Sequence, residues 1–144
     1  MKKFIILLLM YFAMTASKMV SANDIKVVAR PTTDINYVTL TDVRYMFSLR
    51  KTFWDDGTPV VVTLLPFDNF IHIDFVKKIL KVSPARLRRV MEARINAGKA
   101  YGVLKVRTMD EMLYEISRRP GAIGYIDKHL IMEIDDEIRI INIL

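Results

Sequence analysis

The chain has 144 residues and a formal net charge of +6, and 52% of its residues are hydrophobic. This length suits one domain that buries a core of its own. The chain contains no cysteine, which excludes a disulfide framework, a thiolate metal site and a cysteine nucleophile.

The first 22 residues have the three regions of a secretory signal peptide. Two lysines give a positive start, Phe4 to Met14 is an uncharged apolar run, and Val20-Ser21-Ala22 places small residues before a cleavage site. The run is shorter than the roughly 20 apolar residues that a membrane-spanning helix needs, although an uncleaved anchor is the alternative. We therefore expect a periplasmic protein with one domain, residues 23–144, and no transmembrane helix in the mature chain.

Strand and helix signals alternate in the next part of the chain. β-Branched runs at Ile25–Ala29 and Val60–Leu65 predict strands, the second of them covered on both faces. Thr41, followed by apolar residues at helical spacing, predicts the N-cap of a short helix that ends near Leu49. The Asp-Gly pair and the proline in Trp54–Pro59 predict a turn.

Three further helix starts follow. Asp68 or Asn69 is expected to cap a helix after the second strand. Ser83-Pro84 combines a capping serine with proline at the first helical position. Thr108 and Glu111 match a capping box, in which each side chain satisfies a free amide of the other's backbone.

The segments around these helices complete the predicted architecture. Tyr101–Val106 is expected to be an extended linker, whereas Ala122–Ile126 and Glu137–Ile143 are expected to be short strands. Because strands and helices mix along the chain, we predict an α/β domain with a small mixed β-sheet flanked by helices.

Charge is distributed unevenly. Residues 77–107 hold ten basic side chains against Glu92 alone, whereas residues 108–144 hold four basic and eight acidic ones. Arg86, Arg88 and Arg89 on the Ser83 helix form a candidate partner surface, the alternatives being a solvated basic face or one that docks on anionic lipid. We do not expect nucleic acid as the partner, because the chain carries an export signal and the helix lacks interleaved aromatic residues.

No catalytic or metal site is visible in the sequence. The two histidines, His72 and His129, lie far apart on the chain and neither stands in a motif beside a serine. The sequence leaves open whether two carboxylates form a pair in the fold. We predict a protein that is not an enzyme and that needs neither a metal nor another cofactor.

The segment RRPGAIGYID, residues 118–127, places two glycines in an apolar run. Gly121 suits a helix C-terminus, because glycine accepts the left-handed conformation. Gly124 weakens a strand unless something approaches its backbone closely. The candidates are a ligand or a packed side chain such as Trp54, and packing is the commoner reason.

This segment resembles the PGAIGY segment of the phosphate-binding periplasmic proteins of ABC transporters. Three longer segments are similar to that family in the same order: LTDVRYMFSLRKTFWDDGTPVVV (40–62), SPARLRRVMEARINAGK (83–99) and TMDEMLYEISRRPGAIGYID (108–127). The resemblance covers residues 25–131 and implies one lobe of a type 2 periplasmic-binding-protein-like fold. In that family two α/β lobes close on a ligand.

The chain departs from the family at two places, and the first departure argues against phosphate as the ligand. Where the family has a serine-glycine-threonine turn after the central strand, this chain has Pro66–Phe70, with the carboxylate of Asp68 in the anion's place. Leu49 stands where relatives usually have glycine.

Two functions follow from the resemblance and its departures. The first is a non-catalytic domain that acts through contacts with a periplasmic or membrane-associated protein. The alternative is a periplasmic solute-binding protein for phosphate or another small anion, linked to an ABC transporter. The predicted ligand or partner contacts are Asp68, Asn69, Phe70, Gly124 and Tyr125.

Overall fold

A computed structural model describes residues 23–32, 35 and 37–144. The expected signal peptide lies outside the described residues. The strands are β1 (Ile25–Ala29), β2 (Tyr37–Val38), β3 (Val61–Leu64), β4 (Val103–Lys105), β5 (Ala122–Asp127) and β6 (Arg139–Ile143). The α-helices are α1 (Leu40–Phe47), α2 (Phe70–Asp74), α3 (Pro84–Asn96) and α4 (Met109–Arg118); a π-helix (Phe75–Leu80) continues α2, and a 3₁₀-helix (Lys128–Leu130) follows β5.

The six strands form one mixed sheet in the order β2-β6-β1-β5-β3-β4. β1 runs antiparallel to β5 and β6, whereas β3 is parallel to β4 and β5. As predicted, β3 is an interior strand, and its residues Val62 to Leu64 are buried. Because β3, β4 and β5 point the same way, their carboxyl ends lie along one edge of the sheet. None of the described helices is long and apolar enough to cross a membrane.

Helices cover both faces of the sheet. On one face α4 packs over Gly124, where an added β-carbon would lie 2.7 Å from Ile116 Cδ1 and 2.8 Å from Met112 Sδ. On the other face, since successive strand residues alternate, the Tyr125 ring stacks on Phe75 at 4.0 Å between centroids. The predicted α/β domain with a small mixed sheet flanked by helices is therefore confirmed.

Three predictions about local structure need correction. Helix α1 begins two residues earlier than expected, because Thr39 rather than Thr41 caps it and accepts from the Asp42 amide. The expected linker Tyr101–Val106 contains β4, since pairing with β3 satisfies its backbone groups. The side chains packed on Gly124 belong to α4; Trp54 instead donates its indole N–H to the Gly121 carbonyl at 2.8 Å.

The backbone conformation at Leu49 explains why this position suits glycine. Its φ is +60°, in the left-handed region that side chains with a β-carbon seldom adopt. The side chain is only 2% exposed, and Arg94 Nε donates to the Leu49 carbonyl at 2.7 Å. Burial of the leucine and this hydrogen bond offset a backbone strain of about 1–3 kcal/mol.

Candidate functional site

The loop Pro66–Asn69 leaves the carboxyl end of β3 and leads into α2. Asn69 caps the helix, and its side chain accepts from the Ile71 amide at 2.9 Å. Asp68 is exposed and does not cap α2. Of the two residues that were expected as the cap, Asn69 is therefore the one that caps the helix. The positive end of this short helix therefore already has an uncharged side-chain partner.

The two phenylalanines of this loop region have different surroundings. Phe67 lies edge-on to the His72 ring at 5.4 Å, and the Arg88 guanidinium stands 5.1 Å from the Phe67 ring centre. Phe70 is 60% exposed. Asp68 and Phe70 are thus exposed and Asn69 is partly buried, and their contact with a ligand or partner stays a prediction.

Gly124 and Tyr125 do not share that surface. Both are fully buried, Gly124 beneath α4 and Tyr125 beneath the loop. The Tyr125 hydroxyl accepts from the Leu65 amide at 3.1 Å, so it supports the loop from inside. Neither residue can touch a ligand in this conformation, which corrects their assignment as contact residues.

A buried hydrogen bond between His72 and Tyr125 was missed by the sequence analysis. His72 Nδ1 lies 2.6 Å from the Tyr125 hydroxyl. Because the hydroxyl oxygen accepts from the Leu65 amide, the hydroxyl can donate its own hydrogen to Nδ1. Burial lowers the pKa of His72 to about 4, and burial also raises the pKa of Tyr125. Both groups are therefore neutral near pH 7, which suits structural support rather than proton transfer. The two residues are 53 positions apart, so no sequence motif links them.

An open cavity of about 360 Å³, which we call the edge groove, lies beside this loop. It is where the carboxyl ends of β3 and β4 meet, and there the Val106 amide donates to the Leu64 carbonyl at 2.9 Å. The lining comprises Leu64, Leu65, Pro66, Phe67, Lys105, Val106 and Arg107.

Two cations stand at the rim of the edge groove. Lys105 and Arg107 are exposed, and neither side chain takes part in an ion pair with any described residue. Arg107 contacts an acidic residue through its backbone, where its amide donates to Glu111 Oε2 at 2.8 Å. The groove therefore combines an apolar floor with two unpaired positive charges.

The predicted basic surface divides between two sides of α3. Arg86, Arg88 and Arg89 are all exposed. Arg88 faces the loop and donates from Nε to Glu92 Oε1 at 2.8 Å; Glu92 and, more weakly, Asp68 raise the pKa of Arg88. Arg86 lines a different cavity, on the side of α1.

No cluster of three or more metal-ligating side chains occurs among the residues that the structure describes. His129 lies in the 3₁₀-helix after β5, far along the chain from His72.

Comparisons with known proteins bear on the fold. No family model and no curated protein matches the sequence. An ABC-type phosphate transport receptor from Vibrio cholerae superposes with a TM-score of 0.61 at 13% identity, over 84% of this chain and 46% of that one. A putative phosphate ABC transporter substrate-binding protein with bound phosphate from Clostridium perfringens gives 0.60 at 15% identity, over 84% and 45%.

A third structure, PstS from Borrelia burgdorferi, has a TM-score of 0.63 at 11% identity and covers 84% of this chain and 47% of its own. The chain thus spans slightly less than half of the length of each structure. The first is described as a transport receptor and the second as a putative substrate-binding protein. The chain therefore has the fold of one lobe of the phosphate ABC transporter substrate-binding proteins.

Proposed function

We propose that this chain is a non-catalytic binding domain that takes the anionic end of a small solute in the edge groove. The observation that carries the proposal is the placement of Lys105 and Arg107, unpaired, beside an apolar floor. Ligands of open α/β sheets bind outside the carboxyl ends of the strands, which is where this groove lies. The likeness to phosphate transport receptors favours solute binding over a function based on protein contacts alone.

The groove suits an amphipathic anion better than inorganic phosphate. Five of its seven lining residues are apolar, and its two cations come from one strand end. Phosphate needs many donors to replace its water, but the amide at the start of α2 already bonds to Asn69. A monocarboxylate with an alkyl or aryl body would place its charge at Arg107 and its body against Phe67.

Contact with another protein is the second candidate function. The exposed Phe70, with Asp68 and Asn69 beside it, is the observation that favours this function. A periplasmic or membrane-associated protein is the expected partner, and this rests on the proposed signal peptide. N-terminal sequencing of the protein from a periplasmic fraction should give a start at or near Asn23; a full-length chain in the membrane fraction would contradict export with cleavage.

Thermal unfolding and titration calorimetry with octanoate and with inorganic phosphate test the solute proposal. A ligand at about 100 times its Kd stabilises the fold by about 2.7 kcal/mol, which is a shift of several degrees in Tm for a domain of this size. We expect saturable octanoate binding with a Kd below about 1 mM and no such binding of phosphate.

Arg107→Gln should weaken octanoate binding about tenfold or more, whereas Lys99→Gln, before the amino end of β4, should leave it unchanged. An equal loss of octanoate affinity in both variants would show that the binding depends on overall charge and not on the edge groove. Absence of saturable binding of any anion would overturn the proposal and favour the second candidate.

A further inference from the structure

A second groove, between α1 and α3, carries a stronger positive charge than the edge groove. It is an open cavity of about 360 Å³ that also includes the end of the π-helix. Four cationic side chains line this α1–α3 groove, and its lining contains no carboxylate: Arg44, Arg50, Lys81 and Arg86.

These four cations have no acidic partner among the described residues. The ion pairs of the described chain engage other basic side chains, including Lys51, which holds both Asp42 and Asp55. Four like charges around one cavity repel one another, and an anion that enters the cavity reduces this repulsion. The groove is therefore electrostatically complementary to a polyanion.

Two of the four cations, Arg44 and Lys81, are held in place at the wall of the groove. Arg44 is half-buried, and its Nε donates to the Leu80 carbonyl at 2.6 Å. Its remaining guanidinium N–H groups are thereby held at a defined place. Lys81 ends the π-helix with φ at +54°, which turns the chain sharply at the groove wall. Less side-chain freedom is then lost when a ligand binds.

The basic surface that includes the groove favours an extended ligand, because it is longer than the groove itself. On α3 the groove lining ends at Val90, and beyond it Arg94, eight residues after Arg86, adds a further cation, whose Nε donates to the Leu49 carbonyl beside Arg50. Eight residues of helix span about 12 Å, which exceeds the size of a single phosphate or carboxylate. An extended peptide places side chains of one face about 7 Å apart, so two or three acidic residues would match this span.

We propose that the α1–α3 groove binds an extended acidic segment of a partner protein. The carboxylates would pair with Arg44, Arg50 and Arg86, and small apolar side chains between them would face Val90 and the half-exposed Tyr45. Residues 86 and 88 lie about 200° apart around the helix, so this surface and the edge groove occupy different sides of α3. The proposal does not depend on the proposed solute function.

Fluorescence anisotropy with a labelled (Glu-Ala)4 peptide tests the proposal at physiological salt. Arg50→Glu and Arg86→Glu should each weaken binding tenfold or more. Lys99→Glu makes the same charge change on an exposed turn outside the groove and should alter the Kd less than threefold. Arg107→Gln should have no effect, which separates this site from the edge groove. Circular dichroism should show all four variants folded.

Three results would overturn the proposal. The first is equal loss in Lys99→Glu and Arg86→Glu, because attraction to the whole basic surface would then suffice. The second is that the protein binds vesicles of anionic lipid more tightly than the peptide and that Arg86→Glu abolishes binding to the vesicles. The third is a dimer in sedimentation velocity that Arg86→Glu dissociates, since the occupant would then be a second copy of this chain.

Discussion

Acidification should destabilise this fold through His72, and the loss should begin near pH 6.5, above the pH at which carboxylates titrate. The side chain is 1% exposed and shares its Nδ1 with the Tyr125 hydroxyl. The other ring beside it, Phe67, offers no charge to stabilise an imidazolium. Burial lowers the pKa of His72 from 6.5 in the unfolded chain to about 4 in the folded one. Between these values the unfolded state binds more protons, so stability falls as pH falls.

The size of the effect follows from the two pKa values. One pKa unit corresponds to 1.36 kcal/mol, so the full loss below the folded pKa is about 3 kcal/mol. At pH 5 the loss relative to pH 8 is already about 2 kcal/mol. This is a large fraction of the 5–15 kcal/mol that a typical domain has in total.

Urea unfolding at several pH values between 8 and 4.5 measures this loss. His72→Gln has no imidazole to protonate, so its free energy of unfolding should change less over this range, although it should be lower than that of the wild type at pH 8. His129→Gln, at an exposed position, should keep the wild-type pH dependence. Parallel curves for the wild type and His72→Gln, within about 0.5 kcal/mol, would refute the argument that the buried histidine is the sensor.

Further predictions concern single side chains. Asn69→Ala should destabilise by about 1 kcal/mol because it removes the cap of α2, whereas Asp68→Ala should stay within about 0.5 kcal/mol of the wild type; chemical denaturation measures both. Thr63→Val should leave stability unchanged or raise it, because the buried Thr63 hydroxyl has no hydrogen-bond partner among the described residues; a large fall in Tm would indicate a missed partner. Gly124→Val should cost about 1–3 kcal/mol by overpacking against Ile116 and Met112; Gly124→Ala should cost less, because those side-chain ends can shift.

Local signals were sufficient for much of the fold. Ser83 and Thr108 cap their helices as predicted, because a hydroxyl at a helix start needs only the amides of its own first turn. The predicted capping box differs in its second half, since the Glu111 side chain accepts from the Arg107 amide, where a capping box uses the amide of the capping residue. The strand at Ile25–Ala29 was also predicted, since a β-branched run favours extended backbone in any context.

Predictions failed where distant residues decide the structure. β4 is only three residues long, and it is a strand because β3 lies beside it. The π-helix has no local pattern that distinguishes it from the predicted α-helix. Gly124 and Tyr125 were candidate contact residues because their motif resembles a binding protein, but helix α4 and the loop cover them, and for Gly124 packing was the commoner of the two explanations. The cavity that Lys105 and Arg107 share with Phe67 likewise depends on the pairing of two strands.

The position of β6 in the sheet also affects how the chain folds. This strand lies between β1 and β2, and Val27 pairs with Ile141 across most of the chain's length. The first two strands therefore cannot join one sheet until almost the entire chain has been synthesised. Closing such long loops before any contact is gained slows folding relative to helical domains of similar size. A nascent chain of this protein would therefore stay unfolded for longer than one whose sheet forms from strands that are neighbours in sequence.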